Sequence, residues 1–205
     1  GDYIGARAPY GYRKDPDDCH KLLIDENTAP VVKQIFEWAH EHVALNRIVR
    51  NLNEMGLPAP SHYKKATGEI TSPGLIGSGK WQTRTVMKIL ESEVYTGDLV
   101  QGKTKIVDHQ QVKAGEDNLI IAKCTHEPII SHELFNAVQE YRKQICEESK
   151  ATPKRPYTPN IFKGKVFCAD CGRSLHRQRA ERRKGPDTYW FHCLTNSRVE
   201  RDSCK

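Results

Sequence analysis

Val166–Cys193 reads VFCADCGRSLHRQRAERRKGPDTYWFHC. Two cysteines stand two residues apart, arginines follow, and aromatics lead to a third cysteine. Pairs at C-x2-C spacing suit a single Zn²⁺, because a tight turn presents both thiolates to one face. Gly172, after the second cysteine, eases crowding at that turn. The segments RSLHRQRA and DTYWFHC flank the turn-like RRKGPD, which predicts a β-hairpin carrying Cys193 back towards Cys168 and Cys171. A thioredoxin-like pair would instead open a helix after a strand. GRSLHRQ has no helical pattern, so spacing and context favour metal over redox chemistry.

The expected ligands are Cys168, Cys171, Cys193 and, after ten intervening residues, Cys204. His176 and His192 compete with Cys204 for the fourth place. His192 adjoins Cys193 on a strand and should point to the opposite face. Four thiolates leave no open coordination position, so one structural Zn²⁺ is expected. A ribbon this short buries too little apolar surface to fold alone. Metal binding would contribute on the order of 10 kcal/mol to its folding.

Charge separates the same region from the rest. Residues 151–205 carry a balance of +8 and residues 1–150 one of −2, within a chain of 205 residues at +6. Such basicity belongs to a solvated tail or to a surface that meets phosphate. Arg173, Arg177, Arg179, Arg182, Arg183 and Lys184 crowd the hairpin, with Glu181 the one acid between Cys171 and Gly185. A two-stranded ribbon fits the major groove of double-stranded DNA, which favours the second reading. Seven cysteines and no secretory signal argue against a disulfide scaffold. No apolar run is long enough to span a membrane. The expected compartment is the cytoplasm.

Upstream, the pattern predicts an α+β fold, mainly helical with small β elements. Short strands are expected around 10–13 and 21–24. A helix over 28–42 follows, with Asn27 or Thr28 as cap and Pro30 in its first turn. A second helix spans 45–55, with Leu45, Ile48, Val49 and Leu52 at helical spacing. Residues 57–80 read as a long polar loop, and a third helix covers 83–92. Strands are expected at 97–101, 104–108 and 118–124. A final helix over 131–150 has an apolar face of Leu134, Phe135, Val138 and Ile145. Pro153, Pro156 and Pro159 then make a stiff, basic linker. The expected organisation is a domain over 1–150, a linker over 151–160 and a zinc ribbon over 161–205. The helices at 28–42, 45–55 and 83–92 form a helix-turn-helix-like trio.

Taken in order, ARAPYGYR, LLIDENTAPVVKQIFEWA, IVRNLNEMGLPAP, WQTRTVMKILESEVYTGDLVQGK and THEPIISHELFNAVQ resemble the recombinase domain of the large serine recombinases. GKVFCADCGRSL through WFHC to Cys204 resembles that family's zinc ribbon. The resemblance covers nearly the whole chain. It implies sequence-specific binding to attachment or element-end DNA, with the third helix offering Arg84, Thr85 and Lys88 to bases. Lys80 lies just before it. Lys154 and Arg155 of the linker would contact phosphates or the minor groove. No segment matches the family's catalytic serine domain, so binding without cleavage is expected. Self-association is expected of the full-length recombinase. A zinc-stabilised protein-interaction module and a stand-alone transcriptional regulator are the other readings that the charge pattern allows.

Overall fold

The computed structural model describes residues 2–70, 79–102, 104–107, 110–113, 119–151, 158–180, 185–196 and 204. Among these, the helices and small antiparallel strand pairs form an α+β protein. Two compact units divide the chain: residues 1–43 with 86–146, and residues 44–85 with 147–205.

In the first unit, β1 (Tyr12–Lys14) pairs antiparallel with β2 (Leu22–Ile24), Tyr12 opposite Ile24. Gly11 precedes them at φ +96°, and a Cβ there would sit 2.9 Å from Val32 Cγ2 and Ile129 Cδ1. Both the turn and the packing therefore demand glycine. Helix α1 (Ala29–His40) buries Val32, Ile35 and Phe36. Thr28 occupies its N-cap but does not cap it. Its hydroxyl donates to Asp25 Oδ2 (2.8 Å) and accepts from the Gly11 N–H (3.1 Å). The expected cap is thus replaced by a tie between the hairpin and the helix start.

Aromatic rings fill this unit's core. Tyr95 stacks on Tyr12 at 6.1 Å and meets Phe36 edge-on at 5.9 Å, and Phe36 in turn contacts Phe135. The buried Tyr12 hydroxyl donates to the Glu127 carbonyl at 2.9 Å. β3 (Leu99–Gln101) pairs with β6 (Ile120–Ala122), and β4 (Thr104–Val107) with β5 (Gln110–Lys113). β5 was not expected, because QQVK offers a single apolar residue and no alternation. Helix α5 (His132–Ala151) buries Phe135 and Val138, but Ile145 is exposed and Leu134 half-buried. The expected four-residue stripe is therefore cut to its first turns.

In the second unit, α2 (Leu45–Glu54) buries Ile48, Val49 and Leu52. The expected loop over 57–80 contains a helix, α3 (Pro60–Ala66). Pro60 stands at its first position, where no N–H is needed. None of its own residues is buried, so no apolar period betrayed it. Ala59 and Ile70, outside its two ends, are buried instead. Helix α4 (Thr83–Leu90) follows in the chain and passes into the first unit at Val86, with Val86, Ile89 and Leu90 buried, and a 3-10 turn of the first unit (Glu93–Thr96) succeeds it. Near the chain's end, β7 (His176–Ala180) and β8 (Thr188–His192) form the expected antiparallel hairpin.

Candidate metal centre and nucleic-acid interface

The knuckle is built from the backbone outward. Cys168 N–H donates to Arg173 O (2.8 Å), Gly172 N–H to Cys168 O (3.0 Å), and Leu175 N–H to Val166 O (2.9 Å). Phe167 bridges Ser174. Gly172 lies at φ +68° with nothing within 4 Å of a would-be Cβ. It is needed for the left-handed turn rather than for relief of crowding. The hairpin register sets His176 opposite His192 and Ala180 opposite Thr188, which returns the chain to Cys193 beside the knuckle.

The sulfurs of Cys168, Cys171, Cys193 and Cys204 all lie within 4.8 Å of one another. Cys171 and Cys193 are 3.4 Å apart, and Cys193 and Cys204 3.6 Å. A tetrahedral site with Zn–S bonds near 2.3 Å requires sulfur pairs about 3.8 Å apart, so the cluster is compatible with a metal. His176 and His192 stay outside it and meet each other edge-on at 5.5 Å. Cys171 and Cys193 are set towards thiolate. Backbone N–H donation at Arg173 lowers the Cys171 thiol first of all, helped by the Thr195 hydroxyl. Burial alone would raise the Cys193 thiol, but the Asn196 N–H and the Thr195 hydroxyl outweigh it and bring it to about 6.

Of the hairpin arginines, Arg173 is exposed and reaches the Thr195 hydroxyl at 3.4 Å. Arg179 is ion-paired with Asp187, its Nε 2.6 Å from Oδ2. Arg177 donates to the carbonyls of Thr158 and Pro159. Lys154, Arg155, Arg182 and Arg183 lie outside the described residues.

On α4, Arg84 and Lys88 are both exposed and one helical turn apart, with Met87 partly exposed beside them. Thr85 is half-buried, and Lys80, before the helix, is exposed. The start of α4 is held by a clamp that no motif announces. Trp81 is wholly buried. The Asn53 side chain of α2 accepts from Trp81 N–H through Oδ1 (2.9 Å) and donates to Trp81 O through Nδ2 (3.3 Å). Trp81 Nε1 donates to Leu57 O at 3.0 Å. Thr83 Oγ1 then donates to Asn46 Oδ1 at 3.3 Å. Asn53 was missed in the sequence because a lone asparagine near a helix end reads as polar filler.

Residues 26–144 match the model of the Recombinase family, and this is more than half of the chain. The chain therefore belongs to that family, the family of the large serine recombinases. It is 31% identical over 124 residues to the uncharacterized protein YefB of Bacillus subtilis (strain 168), covering 57% of this chain and 39% of YefB. The chain thus spans about two-fifths of the length of that curated relative. Among solved structures it is similar to the LSR chain of an LSR–DNA complex (TM-score 0.45, 18% identity, 92% of this chain and 49% of that one). It is also similar to a chain solved in work on the sequence requirements of the Listeria innocua prophage attP site (TM-score 0.44, 19% identity, 92% and 64%). No helix among the described residues is long and apolar enough to cross a membrane.

Proposed function

We propose that this chain is the sequence-specific DNA-binding part of a large serine site-specific recombinase, recognising attachment or element-end DNA. The observation that carries this reading is the solvent face of α4. Arg84 and Lys88 stand one turn apart on it, inside the segment that matches the Recombinase family. An exposed helix with two cations at i and i+4, held rigidly at its start, suits entry into the major groove.

The reading has two recognising modules joined by the basic proline-rich linker, with domains over 1–150 and 161–205. One Zn²⁺ held by Cys168, Cys171, Cys193 and Cys204 would fix the second module and take no part in chemistry. Arg173 of the ribbon, and Lys154 and Arg155 of the linker, would contact phosphates. Cleavage of the phosphodiester belongs, in this reading, to the family's serine catalytic domain.

Sequence selection from a pool of random duplexes, followed by titration, tests it. Arg84→Ala is expected to lower the ratio of cognate to random affinity by about tenfold. Lys154→Ala is expected to weaken all duplexes alike. Recovery of no preferred sequence, or equal losses on cognate and random DNA for both variants, would reject this division of labour. An interaction module with an acidic protein partner would shift no duplex at all.

A further inference from the structure

We infer that Gln139 and Arg142 of α5 are positioning residues that lock the C-terminal end of α4 and so fix the aim of Lys88. This rests on the reading above, in which the solvent face of α4 meets DNA.

α4 is two turns long, and its last carbonyls find no partner within the helix. The following residues satisfy two of them. Glu91 N–H donates to Met87 O (2.9 Å) and Ser92 N–H to Ile89 O (3.2 Å). Leu90 O is met from another helix, by Gln139 Nε2 at 2.6 Å. Oε1 of the same amide accepts from Arg142 Nη1 at 3.0 Å, and Arg142 Nη2 donates to Glu91 Oε1 at 2.6 Å. The circuit is closed, running from Leu90 O through Gln139 and Arg142 back to Glu91. A guanidinium can only donate, so the amide must turn its oxygen to Arg142 and its N–H to Leu90. Alone, a pair between Arg142 and the half-exposed Glu91 would hold little. Joined to the amide, it orients the group that caps α4.

α5 is a firm base for this circuit. Phe135, Val138, Gln139 and Arg142 recur at i, i+3, i+4 and i+7, which is one helical face. Phe135 and Val138 are buried, and Phe135 contacts Phe36 of α1. Tyr141 stacks on His42, just beyond α1, at 3.8 Å. The stripe that begins apolar thus continues as a polar pair directed at α4.

Val86, Ile89 and Leu90 already bury one side of α4. Apolar contact is non-directional and tolerates some rotation of the helix about its axis. A hydrogen-bonded circuit at the last residue does not. Turning a helix by about 20° carries a side chain ~6 Å from the axis through ~2 Å, which breaks a directed hydrogen bond. Lys88 stands two residues before Leu90, inside the locked turn. Attraction to phosphate survives such a shift better than a bond to a base edge does. The lock therefore acts on discrimination between sequences rather than on general affinity.

Gln139→Met keeps side-chain length, helix propensity and charge but deletes both amide bonds. Arg142→Met breaks the other half of the circuit. Each full zinc-loaded chain is titrated, beside the unaltered one, on the duplex recovered by selection and on random duplex of equal length. Each variant should lower the cognate-to-random affinity ratio by ~10-fold. Gln139→Met should leave affinity for random duplex within ~2-fold, since no charge is lost. The double variant should fall no more than ~2-fold below either single one, because both changes open one circuit. Hydrogen exchange without DNA gives the second readout. The Glu91 and Ser92 amides should exchange at least ~10-fold faster in both single variants while the α1 amides stay protected. Faster exchange with an unchanged affinity ratio would confine the circuit to stability and overturn the inference. So would a Gln139→Met chain that behaves as the unaltered one while Arg142→Met weakens every duplex alike, which marks Arg142 as a phosphate contact. An unaltered chain that selects no sequence rejects the DNA reading itself, and the exchange measurement then decides whether the pair holds α4.

Discussion

Asn53 decides where α4 begins. Its amide meets both the N–H and the carbonyl of the buried Trp81, 28 residues away. Asn53→Ala removes both of these hydrogen bonds in a place water reaches poorly. The expected cost is about 3 kcal/mol, a fall in Tm of roughly 6–12 °C, measurable by thermal unfolding. Trp81 emission should shift red as the site takes in water. His126 gives a second test at this scale. Burial lowers its pKa, partly offset by its hydrogen bond to Val94 O at 2.6 Å. The folded chain thus resists a proton that the unfolded chain accepts near pH 6.5. Protons then favour unfolding, so stability should fall as pH drops from about 7 towards 5. His126→Gln, which keeps a donor and cannot titrate in this range, should flatten that slope in denaturant titrations at each pH. Single residues of this kind were the least legible part of the sequence. Asn53, Thr28 and His126 act through partners fixed only by the tertiary fold, and nothing local distinguishes them.

Elements were legible where apolar periodicity was strong. α1, α2, α4 and the β7–β8 hairpin fall within a few residues of expectation, because each lays an alternating or helical stripe against a core or pairs with a neighbour. α3 and β5 escaped for the converse reason, since neither carries an apolar pattern of its own. The four cysteines were legible by spacing, even though Cys204 is separated from Cys193 by ten residues. At this scale the ribbon should behave as a metal-dependent element. About one equivalent of zinc per chain is expected. A chelator should abolish protection of the β7–β8 amides while α1 and α5 stay protected, as seen by hydrogen exchange. Cys204→Ala should raise the Kd for zinc by at least ~10-fold. A metal-free chain with an intact hairpin would contradict the assignment.

For the whole molecule, charge and family point the same way. The last quarter holds the net positive balance, and the recombinase match covers residues 26–144. The contact of Arg177 with the carbonyls of Pro159 and Thr158 was not legible, because it joins residues 18 and 19 positions apart. Contact of these surfaces with the phosphate backbone is the central expectation. Its most direct test is the affinity of the chain for a long duplex, titrated by fluorescence anisotropy between about 50 and 200 mM salt. With six or more phosphate contacts the affinity should fall by about 1,000-fold or more, along a straight line in log K against log salt. An affinity that changes by less than about threefold over that range would contradict it.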